Sequence, residues 1–398
     1  MSSILKTFKE RGFLKQIVAE EELDKLLHTQ KIVFYIGFDP TADSLHVGHF
    51  VQLMAMRHMQ LAGHTPIILI GGGTGMVGDP SGRTDMRNLM TKEVVQANCN
   101  AFQRQIAKFL SFEGENAAKM INNADWLCTL NYVDFLREIG MHFSVNKMLT
   151  AECYKSRMEK GLSFLEFNYM LMQAFDFYML YEREGCLLQL GGDDQWSNLL
   201  AGVDLIRRKK QKVAYAMTFQ LLTTSDGKKM GKTANGAIWL DANKTSPYDF
   251  YQYWRNIDDN DVEKVFKLLT FLSLEEIVQL CAFRDERMNK AKEILAYEVT
   301  KLVHGEDIAN QVQQQVRAAF SNDVTNMPQV KIAKEKNNIL DILIETGQAK
   351  SKSEARRVVE GGGVTIDDAK ITDIHTIIAQ HEFVLHKGKK VHIKVKLE

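Results

Sequence analysis

Two short apolar runs, Lys31 to Gly37 (KIVFYIG) and Thr65 to Ile70 (TPIILI), flank a helical pattern from about Val47 through His58 to Gly63. Strand, helix, strand in that order is a βαβ unit, and such units build parallel sheets. The first run ends in the turn Phe38-Asp39-Pro40-Thr41. The second ends in a glycine-rich turn, Gly71-Gly72-Gly73-Thr74-Gly75. Further short strands are expected at Cys186 to Leu190, Val213 to Phe219 and Ala237 to Leu240. Between them, Ser163 to Glu184 carries the clearest helix signals. Ser163 and Glu166 have capping-box spacing, Gly161 precedes them and Gly185 supplies the stop.

A chain of 398 residues is too long for one compact core, so two or three domains are expected. The pattern is helical from Asp249 to about Phe320. Residues 321–336 then lose periodicity and read as a linker. Beyond it come two short helices, Asn338 to Gly347 and Ser351 to Glu360, and β-like runs at Gly363 to Asp367 and Val391 to Lys396. The expected organisation is α/β: a Rossmann-like, parallel-sheet nucleotide-binding domain (1–247), an α-helical domain (248–322), a linker (323–336) and a small α+β module (337–398).

Composition narrows the function classes. Hydrophobic residues at 45% and charged residues at 25% are ordinary for a globular protein, and 26 Gly with only 5 Pro argues against low-complexity disorder. Formal charge is zero overall, yet Lys331 to Glu398 holds 13 Lys and Arg against 10 Asp and Glu. That surplus fits either a polyanionic partner or a solubilising tail. The five Cys residues are scattered without a C-x-x-C pair, which argues against a zinc site or disulfide framework and fits a reducing compartment. The first residues lack the apolar core of a secretory signal, and no apolar run approaches membrane-span length. A cytoplasmic protein without a protein-bound metal is expected.

Two segments carry phosphate chemistry. His46-Val47-Gly48-His49 follows the first strand and opens the helix, where unpaired N–H groups and the positive dipole end suit an anion. Gly48 leaves room for a flat base against the backbone, and His46 and His49 can donate to phosphate oxygens. Alone, H-x-G-H fits two surface histidines at a helix start equally well. Lys229-Met230-Gly231-Lys232-Thr233 sits between Ser225-Asp226-Gly227 and Ala234-Asn235-Gly236, the setting of a mobile loop. Its two lysines can close on a triphosphate, although a lone KKMGK is also an ordinary solvated turn.

Taken together, HVGH and KMGKT resemble the two signature motifs of the class I aminoacyl-tRNA synthetases. The neighbouring segments YIGFDPTADSL (35–45), GDPSG (78–82) and GGDDQW (191–196) resemble the tyrosyl branch of that family, in its bacterial form. The resemblance covers essentially the whole chain. It implies that Tyr35 and Asp176 bind a substrate phenol, and that Tyr169, Gln173 and Asp79 hold its ammonium. Tyr169, Gln173 and Asp176 stand at i, i+4 and i+7, one face of the capped helix. The resemblance places Asp39, Gly192, Asp194 and Gln195 on substrate or adenosine ribose, and Thr41, Arg83 and Arg87 on the triphosphate. His46, His49, Lys229, Lys232 and Thr233 would stabilise the leaving pyrophosphate, with ATP arriving as its Mg²⁺ complex.

Besides Thr233, which ends the second signature where Ser is usual, three positions depart from the family pattern: Ile36, Gln52 and Asp193. They bear on ATP affinity rather than on the reaction. The terminal module resembles a small RNA-binding fold, with Lys350, Lys352, Arg356 and Arg357 as its phosphate contacts. The implied partners are tyrosine, ATP, tRNA and a second copy of the chain, which would meet through residues 132–148. The tryptophanyl branch shares the fold and remains the nearest alternative. A small-molecule nucleotidyltransferase and a synthetase-derived RNA-binding protein without catalysis are more distant ones. The expected activity is tyrosine activation by ATP followed by transfer to the 3′ end of tRNA.

Overall fold

A computed structural model describes residues 3–81, 91–233, 236–321, 329–367, 369–388 and 391–398; at Lys232 and Thr233 only the backbone is described. The chain forms two compact units, one ending at His304 and the other beginning at Gly305.

The first unit is built on a six-stranded sheet ordered β1-β6-β5-β2-β3-β4. Its strands are β1 (Leu14–Ile17), β2 (Val33–Phe38), β3 (Thr65–Ile70), β4 (Lys119–Asn122), β5 (Cys186–Gly192) and β6 (Tyr215–Phe219). Strands β2 to β6 pair in parallel, and β1 closes one edge antiparallel to β6. The predicted βαβ unit is β2, the helix Val47–Leu61 and β3, paired from Val33↔Thr65 to Phe38↔Ile70. Both strands are buried along most of their length, as a sheet covered on both faces requires.

From β2 the chain winds outward through β3 to β4. From β5 it winds the other way to β6. The strand order therefore reverses between β2 and β5. In open α/β sheets the ligand crevice lies beyond the carboxyl ends of the strands at such a switch point.

Three differences from the expected organisation have physical causes. The helices from Pro247–Arg255 to Arg287–His304 belong to the first unit and not to a domain of their own. Arg11 shows why: its guanidinium, 7% exposed, donates to the carbonyls of Lys267 (3.0 Å), Thr270 (2.9 Å) and Leu272 at a helix end. The expected linker also contains structure. Gln329–Ile332 forms β9, pairing in parallel with β13 (Val391–Leu397), and its alternation buries Ile332. Finally, the helix expected from Ser163 to Glu184 is two helices, Phe164–Phe167 and Tyr169–Glu184. The Ser163–Glu166 capping box forms, but Glu166 also receives Arg157 in a buried ion pair at 2.9 Å. Gly185 ends the second helix at φ 63°, the left-handed stop.

The second unit carries the helix Glu306–Ser321 and a five-stranded sheet. With β10 (Val364–Ile366), β11 (Ala369–Ile371) and β12 (Glu382–Lys387), its order is β11-β10-β12-β13-β9. The helices Ile339–Glu345 and Lys352–Glu360 join this sheet around a core containing Ile339, Leu343, Ala355, Val359, Leu385 and Val395. Lys350, Lys352, Arg356 and Arg357 are all exposed.

Candidate active site

A cleft of about 600 Å³ opens at the switch point. Strand β2 contributes Tyr35, and the turn beyond its carboxyl end contributes Asp39 and Thr41. The start of helix Val47–Leu61 contributes His46, Gly48 and His49. Helix Tyr169–Glu184 contributes Tyr169, Gln173 and Asp176, the turn after β5 contributes Asp194 and Gln195, and Asp79 and Lys229 complete the wall. Residues up to 194 positions apart in sequence thus converge on one cavity.

The floor is a buried polar network. Asp176, 2% exposed, accepts from Trp126 Nε1 (2.7 Å) and Asn123 Nδ2 (2.9 Å). Asn123 also donates to Thr74 Oγ1 (3.0 Å), and Thr74 donates to Asp39 Oδ1 (2.7 Å). Tyr169 Oη donates to the other oxygen of Asp39 at 2.7 Å. A side chain at Gly71 would place its Cβ 2.0 Å from Asp39 Oδ1, so the glycine-rich turn is what lets this carboxylate sit at the end of β2.

Beside this network two groups are buried with no hydrogen-bond partner: the Tyr35 hydroxyl, on a residue 1% exposed, and Gln189 Oε1. Buried polar atoms are nearly always paired in folded proteins, so an orphan hydroxyl beside a carboxylate on a cavity wall points to a ligand with a polar end. On a second wall, Gln195 Nε2 donates to Asp79 Oδ2 (2.7 Å), and Asn198 Nδ2 donates to Gln195 Oε1 (3.2 Å).

Burial is the largest influence on Asp176 and pushes it up to about 8. The bonds from Asn123 and Trp126 pull it down, and Asp39 adds a smaller upward push. The unfolded value is about 3.9. Between the two values the folded chain keeps a proton that the unfolded chain has lost. This group's contribution to stability is therefore complete below about pH 4 and is lost as pH rises toward 8. Asp176→Asn removes that dependence. The melting temperature of the variant relative to the parent is expected to rise steadily from pH 5 to pH 8. A difference that stays constant over this range would place Asp176 at an ordinary carboxylate value.

At the mouth, His46 is the N-cap of its helix. Its Nδ1 accepts from Gly48 N (3.0 Å), and His49 Nδ1 accepts from His46 N (3.2 Å). With both Nδ1 atoms accepting, the proton of each neutral ring sits on Nε2, where it can be donated. Lys229 Nζ lies 3.9 Å from Asp194 Oδ2, a loose pair. Burial raises Asp194 above the usual carboxylate range, and Lys229 opposes this.

The second signature is more firmly held than a free loop. Met230, 4% exposed, donates its N–H to Leu222 O (2.8 Å), and Gly231 N donates to Tyr253 Oη (2.8 Å). Gly231 has φ 78°, and a Cβ there would lie 2.7 Å from that of Val47. Lys232–Thr233 then pairs with Gly236–Ala237 as the short ladder β7–β8. This ladder, with an isolated bridge from Trp239 to His46, replaces the sheet strand expected at Ala237 to Leu240.

Most expected site residues meet in the cleft. Gly192 instead ends β5 just behind its wall. Arg83 and Arg87 lie outside the described residues. Of the three departures, Gln52 lines the cleft and Ile36 is buried in β2. Asp193 accepts from Gln16 Nε2 (2.6 Å) and Thr218 Oγ1 (3.2 Å), tying β1 and β6 to the turn. Sequence reasoning missed Asn123, Trp126, Thr74 and Gln189. No local pattern marks them, since each becomes polar floor or wall only through strand order.

A family model described as tRNA synthetases class I (W and Y) matches residues 27–321, and one described as the tyrosine–tRNA ligase SYY-like C-terminal domain matches 319–395. The tyrosine–tRNA ligase of Acetivibrio thermocellus is 56% identical over 408 residues, covering 100% of both chains. That of Clostridium botulinum strain Loch Maree is 57% identical over 400 residues, covering 98% of each. This chain belongs to the bacterial-type tyrosyl-tRNA synthetases of class I. As a member it is an aminoacyl-tRNA synthetase, a tyrosine–tRNA ligase. The tryptophanyl alternative is set aside by these relatives and by the terminal-domain match. Among solved structures, a C-terminally truncated mitochondrial tyrosyl-tRNA synthetase of Aspergillus nidulans superposes with a TM-score of 0.72 at 31% identity, covering 80% of this chain and 94% of that one.

Proposed function

We propose that the cleft carries out tyrosine activation with the phenol at its floor and the ATP phosphates at its mouth. The observation that carries this reading is the orphan hydroxyl of Tyr35 beside the buried carboxylate of Asp176. Tyr35 and Asp176 bond the substrate hydroxyl. Tyr169, Gln173, Asp79 and Gln195 hold the ammonium end. Asp39 and Asp194 face the ribose, Gly192 sets the turn that carries Asp194, and Gly48 leaves space for the base.

The tyrosine carboxylate is the nucleophile. An α-carboxyl titrates at about 3.5, so it is ionised at neutral pH and no general base is needed. It attacks the α-phosphorus, and pyrophosphate departs in line. Catalysis is then positioning and charge stabilisation. His46 and His49 donate through Nε2, while Lys229, Lys232, Thr233, Thr41, Arg83 and Arg87 serve the phosphates. The metal rides on ATP as part of the substrate. The tRNA ribose hydroxyl then attacks the carbonyl carbon of the adenylate, the acyl–phosphate bond breaks and AMP leaves.

The exposed cations Lys350, Lys352, Arg356 and Arg357 supply phosphate contacts to tRNA. Exposed apolar residues between 132 and 148, among them Tyr132, Val133 and Met141 (73% exposed), support a homodimer contact there. Among the described residues no helix is long and apolar enough to cross a membrane, and a cytoplasmic location is proposed.

The test is tyrosine-dependent ATP–pyrophosphate exchange and tRNA charging, run on the full chain and on a chain ending at Ser321. Exchange is expected to survive the truncation while charging falls at least a hundredfold. Undiminished charging would remove the terminal module from tRNA binding, and exchange that ignores tyrosine would overturn the whole assignment.

A further inference from the structure

The backbone on either side of His46 is stitched to the segment that follows the KMGKT ladder. Val47 N donates to Ile238 O (3.0 Å), Leu240 N to Leu45 O (2.9 Å), and Ile238 N to Gly231 O (2.8 Å). Trp239 stands opposite His46 in this stitch. Its ring meets the His46 imidazole edge to face, with centroids 5.9 Å apart at 66°, and its backbone N–H is donated to Thr245 Oγ1 (3.0 Å). The Lys244 ammonium lies 4.9 Å from the centre of the indole and 2.5 Å from Asp43 Oδ1. Asp43 precedes His46 by three residues, so the contacts close a circuit: Asp43, Lys244, Trp239, His46. Trp239 itself does not line the cleft.

We propose that Trp239, held by Lys244 and Asp43, is a positioning residue for the His46 imidazole and links the two signature segments mechanically. The inference rests on the phosphate role assigned to His46 above. The Gly48 N–H fixes one edge of the imidazole, and the indole limits its tilt from the side. A shift of the KMGKT ladder is carried through Ile238 and Trp239 to the ring that must meet the phosphate. Neither Trp239 nor Lys244 touches the tyrosine floor, so their loss acts on the chemical step and leaves tyrosine binding alone.

The experiment is a double-mutant cycle on tyrosine-dependent pyrophosphate exchange in the full chain, with His46→Ala as the second site. Trp239→Ala is expected to lower kcat about tenfold, the scale of a ring–ring contact, with KM for tyrosine unchanged. Trp239→Phe should restore most of the rate. In the His46→Ala background, Trp239→Ala should cost nothing further. Lys244→Met removes the cation over the ring together with its pair to Asp43, leaves the indole in place, and should cost about threefold. It carries the same cycle if the alanine variant does not fold. Equal losses in both backgrounds, or a KM for tyrosine that rises with the fall in kcat, would overturn the inference while leaving the His46 assignment intact. A His46→Ala single variant with parental kcat would instead overturn the His46 assignment, and the inference with it.

Discussion

Asp176→Ala is expected to lower kcat/KM for tyrosine activation about a thousandfold and to cut the preference for tyrosine over phenylalanine by about the same factor. Above about pH 8 Asp176 is ionised, and its buried carboxylate then gives the substrate phenol a charge-assisted acceptor, worth about 1.5–3 kcal/mol. Without it, the phenol is desolvated against a cavity with only the Tyr35 hydroxyl left to answer it. An unmet hydrogen bond of this kind costs a further 1–3 kcal/mol or so. Roughly 4 kcal/mol in total is about three decades at 1.36 kcal/mol per decade. Phenylalanine has no hydroxyl to lose, so its rate should barely change. The same substitution orphans Trp126 Nε1 and takes from Asn123 Nδ2 one of its two acceptors, and that cost falls on folding stability. Exchange kinetics with both amino acids, beside a thermal melt, separate the two effects. A variant that kept the parental preference would remove Asp176 from the phenol site.

Lys229→Ala should behave in the opposite way, with kcat for activation down about a hundredfold and the tyrosine Kd unchanged. Lys229 sits at the mouth, close to Asp194 and away from the Asp176 floor. Its ammonium has nothing to offer the amino acid but can meet charge that grows on the departing pyrophosphate. Groups aimed at developing charge are commonly worth about 2.7–4 kcal/mol in the transition state. Single-turnover adenylate formation measures this directly, and equilibrium dialysis gives the tyrosine Kd. Equal losses in both would mean uniform binding and would end the transition-state role. The same split is expected for Lys232→Ala.

The fold was legible wherever a pattern is local. The apolar runs of β2 and β3, the helix between them and the Gly185 stop each announce themselves within a few residues. Strand β1 escaped notice because Leu14–Ile17 is a short edge strand paired with a partner two hundred residues away. Strand β9 escaped because its alternation spans four residues in a polar stretch. The helical region looked like a domain by periodicity, but periodicity cannot show that Arg11 caps its carbonyls. Asp193 stands out in sequence only as a departure from the family pattern, while in the fold Gln16 and Thr218 donate to it and tie it to the sheet.

The opening βαβ pattern and the two signature motifs determined, from sequence, a parallel sheet and a phosphate-handling chemistry. Both follow from short-range rules: strand and helix periods, and free N–H groups at a helix start. Only the tertiary structure decided what the floor of the cleft is made of. Asn123, Trp126 and Thr74 act on Asp176 and Asp39 through contacts across 35 to 53 positions of sequence, and Tyr35 becomes an orphan only once its strand is buried. Burial is what raises Asp176 and makes its hydrogen bonds count, and burial belongs to the packed molecule.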